Sequence, residues 1–371
     1  MLSGLTAEAR LFIQLIHPES SVSKLSLPED INWNALSEIA SNHALMPVFY
    51  RALTSLDSPQ IPKDTLDHCR IEASKISGRN LILKRELISV LHLLQSHGFA
   101  AIPYKGPVLT ERLYGNIGLR YFDDLDLLVH KEDIRKIKKL LLEHGYTPKP
   151  DLANLTPSQE EAFLRFHNTY DFISKAPIHQ LEVHWEVVPR TFSLNLDYKK
   201  LWERCSNVVV ENLTVPAFSN EDLMLLVCIA GAKKGWDRIS RVYDAAQVLR
   251  LYRDMDFDFV MNQARYMGAQ RILGVGLYLA SEILNAPVPV EILSFALKDS
   301  HVKPLTDGIL RQMFGPHQTL GMFRAEDQFQ PIHYRIRERF ADRARYCLKV
   351  LFTPSIQDWS TCQLPGFAYF I

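Results

Sequence analysis

Apolar positions in the first hundred residues recur with the 3.6-residue period of a helix. Leu36, Ile39, Ala40 and His43 share one face of one segment, and Ile82, Leu87, Val90, Leu91 and Leu94 share a face of a later one. Asp30 or Asn32 stands where a side-chain oxygen can cap the first of these. The longest segment runs from Lys63 to His97 and stops at Gly98, a residue suited to the left-handed turn that closes a helix. These segments predict a helical packing or lid region.

The pattern changes at Phe99. Ala100–Tyr104 predicts a short buried strand, Lys105-Gly106 breaks it, and a helical stretch follows to Tyr114. Leu125–Val129 predicts a second strand, Lys131–His144 an amphipathic helix and Tyr146–Pro148 a third strand. After a polar loop around Pro148–Ser158, the segments Thr169–Ser174 and Gln180–Val188 alternate with the two-residue period of strands. From Asn220 the helical period returns over Glu221–Lys233, Arg238–Tyr252, Phe257–Gly268, Ala269–Leu284, Val302–Met313 and Arg335–Leu351, with Ser219 or Asn220 as the first cap. Phe314–His333 has no clear period and predicts a long loop. The fold class is α+β in three parts: an N-terminal helical region over 1–98, a mixed-sheet core over 99–218 and a C-terminal helical region over 219–371.

Composition narrows the functional classes. Forty-two basic side chains balance 42 acidic ones, which argues against a protein that coats nucleic acid but leaves room for a local phosphate site. The arginines at 335, 337, 339, 343 and 345, interleaved with Glu338 and Asp342, predict a solvated, ion-paired helix face. Cys69, Cys205, Cys228, Cys347 and Cys362 are widely spaced with no Cys-x-x-Cys pair, so neither a disulfide framework nor a zinc site is expected. The start of the chain lacks a signal-peptide pattern, and Leu223–Ala232, its most apolar stretch, is too short to span a bilayer. A cytoplasmic protein without membrane partners is the expectation.

Three pieces of sequence carry chemistry. In Tyr104-Lys105-Gly106 a glycine sits between a strand and a helix, where backbone amides can approach an anion and Lys105 can add charge. A plain strand-to-helix turn would read the same. In Arg120-Tyr121-Phe122-Asp123-Asp124-Leu125-Asp126, alternation puts Asp124 and Asp126 on one face and Leu125 and Leu127 on the other. Two neighbouring carboxylates entering a buried strand repel unless solvated, protonated or bridged by a cation, and hard oxygen ligands suit Mg²⁺. In Gln180-Leu181-Glu182-Val183-His184-Trp185-Glu186, alternation sets Glu182, His184 and Glu186 opposite an apolar face. Further on, Trp236 lies among Lys233, Lys234, Arg238 and Arg241, where it could stack on a nucleobase with the cations near phosphate. Asp244 could orient an arginine.

The combination of Tyr104-Lys105-Gly106, Leu113-Tyr114-Gly115, Arg120 with Asp124-Leu125-Asp126, and Leu181-Glu182-Val183-His184-Trp185 resembles the uncharacterised nucleotidyltransferase family of the polymerase-β-like superfamily. The likeness extends to Trp236, Arg238 and Asp244, and to Pro354, Asp358 and Leu364-Pro365. It implies a nucleotidyltransferase core in which Asp124 and Asp126 share one strand and Glu182, beside His184, stands on its neighbour. It also implies two Mg²⁺ ions (Mn²⁺ as the substitute), an NTP co-substrate, and NMP transfer to a hydroxyl-type acceptor on a small molecule or protein. Asp124, Asp126 and Glu182 would hold the metals, Glu182 could serve as general base, and Lys105, Gly106 and Arg120 would face the phosphates. Two features depart from the pattern: Lys-Gly replaces the usual Gly-Ser turn, and Cys228–Trp236 has alanine and lysine where histidines are expected. A non-catalytic nucleotide-binding or scaffold protein, or a toxin–antitoxin type enzyme acting on protein or RNA, are the alternatives.

Overall fold

The computed structural model describes residues 4–17, 25, 27–56, 58–174, 179–315 and 329–361. Most of the Phe314–His333 loop, Cys362 and the Leu364-Pro365 motif lie outside the described residues. Four helices come first: α1 (Ala7–Ile16), α2 (Trp33–Asn42), α3 (Met46–Leu56) and the long α4 (Lys63–Ser96). Asn32 caps α2 by accepting from the Ala35 amide.

The sheet region follows as β1 (Ala101–Pro103), α5 (Gly106–Tyr114), β2 (Asp124–Val129), α6 (Ile134–Glu143), β3 (Thr147–Pro148), α7 (Pro157–Phe166), β4 (Thr169–Ile173) and β5 (Gln180–His184). The strands form one mixed sheet in the order β1-β2-β5-β4-β3. β2 and β5 run parallel, while the other neighbours are antiparallel. α7 was not expected, although its start carries a sequence signal: Thr156 and Gln159 make a reciprocal capping box. Strand β5 stops at His184, short of the expected Val188, because the Asn168 carbonyl takes the amides of Trp185 and Glu186.

A helix α8 (Tyr198–Glu203) and a hairpin of β6 (Ser206–Val210) and β7 (Leu213–Ala217) come next. The hairpin too went unpredicted, though two alternating runs around Glu211-Asn212 are its signature. The remaining elements are helical: α9 (Asn220–Lys233), α10 (Ile239–Leu251), α11 (Phe257–Met267), α12 (Gln270–Leu284), α13 (Val290–Leu297), α14 (Val302–Phe314), α15 (Pro331–Arg335), α16 (Phe340–Phe352) and α17 (Ile356–Thr361). Ser219 caps α9 by accepting from the Asp222 amide.

The two faces of the sheet bury different partners. Leu125, Leu127, Leu181, Val183, Tyr170 and Phe172 belong to a core with Leu83, Leu87 and Leu91 of α4 and Ile137 and Leu141 of α6. Ile102 and Leu128 point the other way, into the larger core of the N- and C-terminal helices. Since side chains alternate along a strand, Asp126 shares the face of Leu128 and looks toward α9 and α10.

The arginine-rich segment does not form one solvated helix face. It breaks between α15 and α16, and Arg337 is fully buried, its guanidinium between the rings of Phe192 and Tyr346 at 4.6 and 4.3 Å. There it donates to the carbonyls of Phe192 and His333. Apolar stem and aromatic neighbours outweigh hydration, provided the N–H groups find acceptors.

Candidate active site

The parallel pairing of β2 with β5 sets Asp124 opposite Gln180, Asp126 opposite Glu182 and Leu128 opposite His184. Strand alternation then gathers Asp126, Glu182 and His184 on one face. One donor atom from each of these three lies within 4.8 Å of the others. The His184 Nε2 sits 3.2 Å from Asp126 Oδ1 and 3.2 Å from Glu182 Oε2.

Lys105 is the fourth member. Its Nζ donates to Asp126 Oδ1 at 2.5 Å. Lys105 is the last residue before α5, and Gly106 begins the helix with φ +54°, a left-handed conformation that favours glycine. A Cβ on Gly106 would stand 3.3 Å from the Asp124 carbonyl, so the turn also needs a residue without a side chain. Sequence alternation joined Asp124 with Asp126, but Asp124 falls outside the close-set trio and faces the adjoining cleft instead.

Charge and burial act against each other throughout. Burial and the neighbouring Asp126 push the Asp124 carboxyl up to about 7, with Lys105 pulling it back. Burial alone would raise Asp126, yet Lys105 and the His184 hydrogen bond hold it well below the usual carboxylate range. Burial opposes charge on Lys105, but Asp126, Asp124 and Glu182 outweigh it and raise the ammonium. His184 follows the same logic: burial pulls it down, and its hydrogen bonds to Asp126 and Glu182 lift it above the ordinary imidazole value. Glu182 is held low against burial by its hydrogen bond to His184.

The trio fits a divalent cation. Asp126 Oδ2 is buried without a hydrogen-bond partner, which a metal–oxygen bond would satisfy. Two carboxylates and an imidazole are a sound donor set, although Mg²⁺ prefers oxygen and a nitrogen donor also suits Mn²⁺.

A cleft of about 380 Å³ adjoins the trio, whose own three residues are not in its lining. Lys105, Gly106, Arg120 and Asp124 line it on the sheet side, and Lys233, Lys234, Arg238 and Arg241 line it from the α9–α10 junction. Leu109, Val187, Phe218 and Leu226 supply apolar wall. Arg120 is held in place by a bidentate pair with Asp244 of α10, whose Oδ1 also accepts from Tyr114 at 2.7 Å. Its guanidinium, which burial would push down, is raised by Asp244.

Trp236 requires correction. It is fully buried rather than facing the cleft, its ring filling the space over Gly231 and Gly276, where an added Cβ would meet it at 2.6 and 3.1 Å. An indole with no exposed surface cannot stack on a base. It anchors the turn Gly235-Trp236, both residues with positive φ, that swings the flanking cations toward the cleft.

Several residues escaped the sequence reading. Asn80, buried in α4, donates to the Ile117 and Arg120 carbonyls at 2.7 and 2.8 Å and so positions the loop before β2. No periodicity marks it, because a buried asparagine on a helix face looks like any polar residue until its acceptors are known. Tyr104 packs its ring edge-on to His184 at 5.5 Å, and its buried hydroxyl has no hydrogen-bond partner. Glu186, expected on the acidic face, instead pairs with Arg190. The tail motif has a structural effect: Asp358 accepts from Ser355, and the adjoining Trp359 is buried edge-on to Phe163.

A family model described as an uncharacterised nucleotidyltransferase matches residues 29–285, which include every residue of this site. No curated protein and no solved structure matches the chain. Among the described residues, no helix is long and apolar enough to cross a membrane.

Proposed function

The chain belongs to the uncharacterised nucleotidyltransferase family, and from that premise we propose that it transfers an NMP from an NTP to a hydroxyl-type acceptor on a small molecule or protein. The setting would be a polymerase-β-like core in the cytoplasm. The observation that carries this reading is the register of β2 against β5, which opposes Asp126 to Glu182 with His184 in ligand range.

In this scheme Asp126, Glu182 and His184 hold a divalent cation, and Asp124 at the cleft edge contributes to a second. Mg²⁺ bound there would neutralise triphosphate charge and lower the pKa of the acceptor hydroxyl. Gly106 and the start of α5 offer backbone amides to the phosphates, and Arg120 adds a guanidinium fixed by Asp244. The cationic junction of α9 and α10 faces the same space. The acceptor oxygen attacks the α-phosphorus, the bond to the bridging β-phosphate oxygen breaks, and pyrophosphate leaves. Glu182 receives the acceptor proton as general base.

One observation favours a non-catalytic nucleotide-binding role: Lys105 already neutralises Asp126. The two readings part in a calorimetric titration of each NTP with Mg²⁺, followed by an assay of pyrophosphate release over candidate acceptors. Metal-dependent binding that Asp124→Asn/Asp126→Asn abolishes is the expected result. Binding indifferent to both the substitutions and chelation would overturn the metal-site reading, and tight binding without turnover on any acceptor would favour the non-catalytic one.

A further inference from the structure

We infer that Lys105 is the resident counter-ion of the carboxylate cluster and passes to the triphosphate when a divalent cation enters, so that metal and phosphate bind with positive coupling. The inference deepens the nucleotidyl-transfer reading and rests on its metal site.

Three observations lead to it. First, the ammonium stands beside the space a metal would take. Lys105 Nζ lies 2.5 Å from Asp126 Oδ1, on one of the three residues that could hold a cation together. A divalent cation held by Asp126, Glu182 and His184 would stand close to that ammonium, and in a buried site two like charges repel strongly. Second, the carboxylate cannot be the partner that yields. The Asp126 side chain has no exposed surface, and β2 is paired on both sides, with β1 and with β5. Lys105 keeps 28% of its side-chain surface open on a flexible four-carbon stem.

Third, the outlet leads where phosphate would lie. Lys105 lines the same cleft as Gly106, Arg120 and the α9–α10 cations. Asp123, Asp124, Asp237 and Asp244 line the cleft as well, and the last two already pair with Arg238, Arg241 and Arg120, so the partner that best receives a displaced lysine is an anion that also ligates the metal. The metal alone therefore meets a double cost, losing the Lys105–Asp126 pair and leaving the displaced ammonium close to the cation that replaced it. A polyphosphate removes the second part, and the two ligands help each other by the same factor in either order.

The test is a titration of Mn²⁺ without nucleotide into wild type, Lys105→Met and Lys105→Arg, with protein-bound ion counted after ultrafiltration. Lys105→Met is expected to bind Mn²⁺ at least tenfold more tightly than wild type, and Lys105→Arg no more tightly than wild type. Inorganic tripolyphosphate, at matched free Mn²⁺, is then expected to tighten binding to wild type at least tenfold and to Lys105→Met less than threefold. Equal or weaker Mn²⁺ affinity in a folded Lys105→Met overturns the handover. If that variant fails to fold, the wild type still decides, because tripolyphosphate that leaves its Mn²⁺ affinity unchanged overturns the coupling. Binding that is lost in Asp126→Asn but indifferent to Lys105 leaves the metal site standing and sinks only this inference. No Mn²⁺ binding under any condition removes both.

Discussion

Arg120 and Asp244 lie 124 residues apart and meet in a bidentate pair, with guanidinium nitrogens 3.0 to 3.2 Å from both carboxylate oxygens. The pair joins the loop that leads into β2 to helix α10, and so ties the acidic strand to the helical wall of the cleft. Arg112 reinforces the seam, donating to Tyr252, the Phe218 carbonyl and Asn220.

Both members of the pair are largely buried, with side chains 16% and 11% exposed, so removing one charge should cost more than removing both. Asp244→Asn is expected to destabilise the fold by about 3 kcal/mol, the scale for stranding one partner of a buried ion pair. Arg120→Met/Asp244→Leu should cost less than the single substitution. Urea unfolding of the three proteins measures this, and a double variant less stable than Asp244→Asn would contradict it.

Trp236 anchors the cationic turn. Gly231→Ala sets a methyl 2.6 Å from three atoms of the indole ring, a rigid group with no room to retreat. A loss of about 1–3 kcal/mol is expected from this overpacking, together with weaker NTP binding as the α9–α10 junction shifts. Thermal unfolding and calorimetry would report both, and unchanged stability would mean the ring is not confined.

Gly106→Ala addresses the turn between β1 and α5, proposed above to face phosphate. The residue has φ +54°, and its Cβ would lie 3.3 Å from the Asp124 carbonyl. Left-handed backbone costs an ordinary L-residue about 1–2 kcal/mol, and relief of the contact moves either α5 or the start of β2. Lower stability with at least tenfold weaker divalent-cation binding is expected. A variant with wild-type metal affinity would show that the turn does not position Asp124.

Two histidines outside the site pull stability down in mild acid, against Asp124, whose raised carboxyl acts the other way over the same range. Burial lowers His43 to about 4, helped by Arg238, and burial lowers His167 to about 4 as well, against an ordinary value of 6.5. Between those values each histidine binds more protons unfolded than folded, so their contribution to stability rises with pH across the window and is complete above about 6.5. His43 also accepts from the Ile239 amide at the start of α10 through Nδ1. His43→Gln should flatten part of the decline in thermal midpoint between pH 7 and 4. A His43→Gln variant whose midpoint changes with pH just as the wild type's does would refute the assignment.

Much of the fold was legible because it rests on local rules. Helix α9 began one residue from its expected start, and Ser219 proved its cap, since a side-chain oxygen over free amides needs no distant partner. Leu125 and Leu127 lie in a core, as alternation requires. The hairpin of β6 and β7 and helix α7 had local signals that went unread, whereas the early end of β5 depended on Asn168, a residue brought in by another segment.

For the site, the sequence by itself determined which chemistry was present: acids at alternate positions, a lysine and glycine at a strand-to-helix turn, and a glutamate and histidine two apart on a later strand. Those follow from side-chain identity and the two-residue period. Only the tertiary structure decided which of them meet. The register of β2 against β5 exchanged Asp124 for His184 in the close-set trio, and the fold set Lys105 on Asp126 and Arg120 on Asp244. It also turned Trp236 inward, because glycines at 231 and 276 leave a gap that the indole fills. Such pairings join residues far apart in the chain, and their geometry is fixed by packing and strand register, which no local pattern encodes.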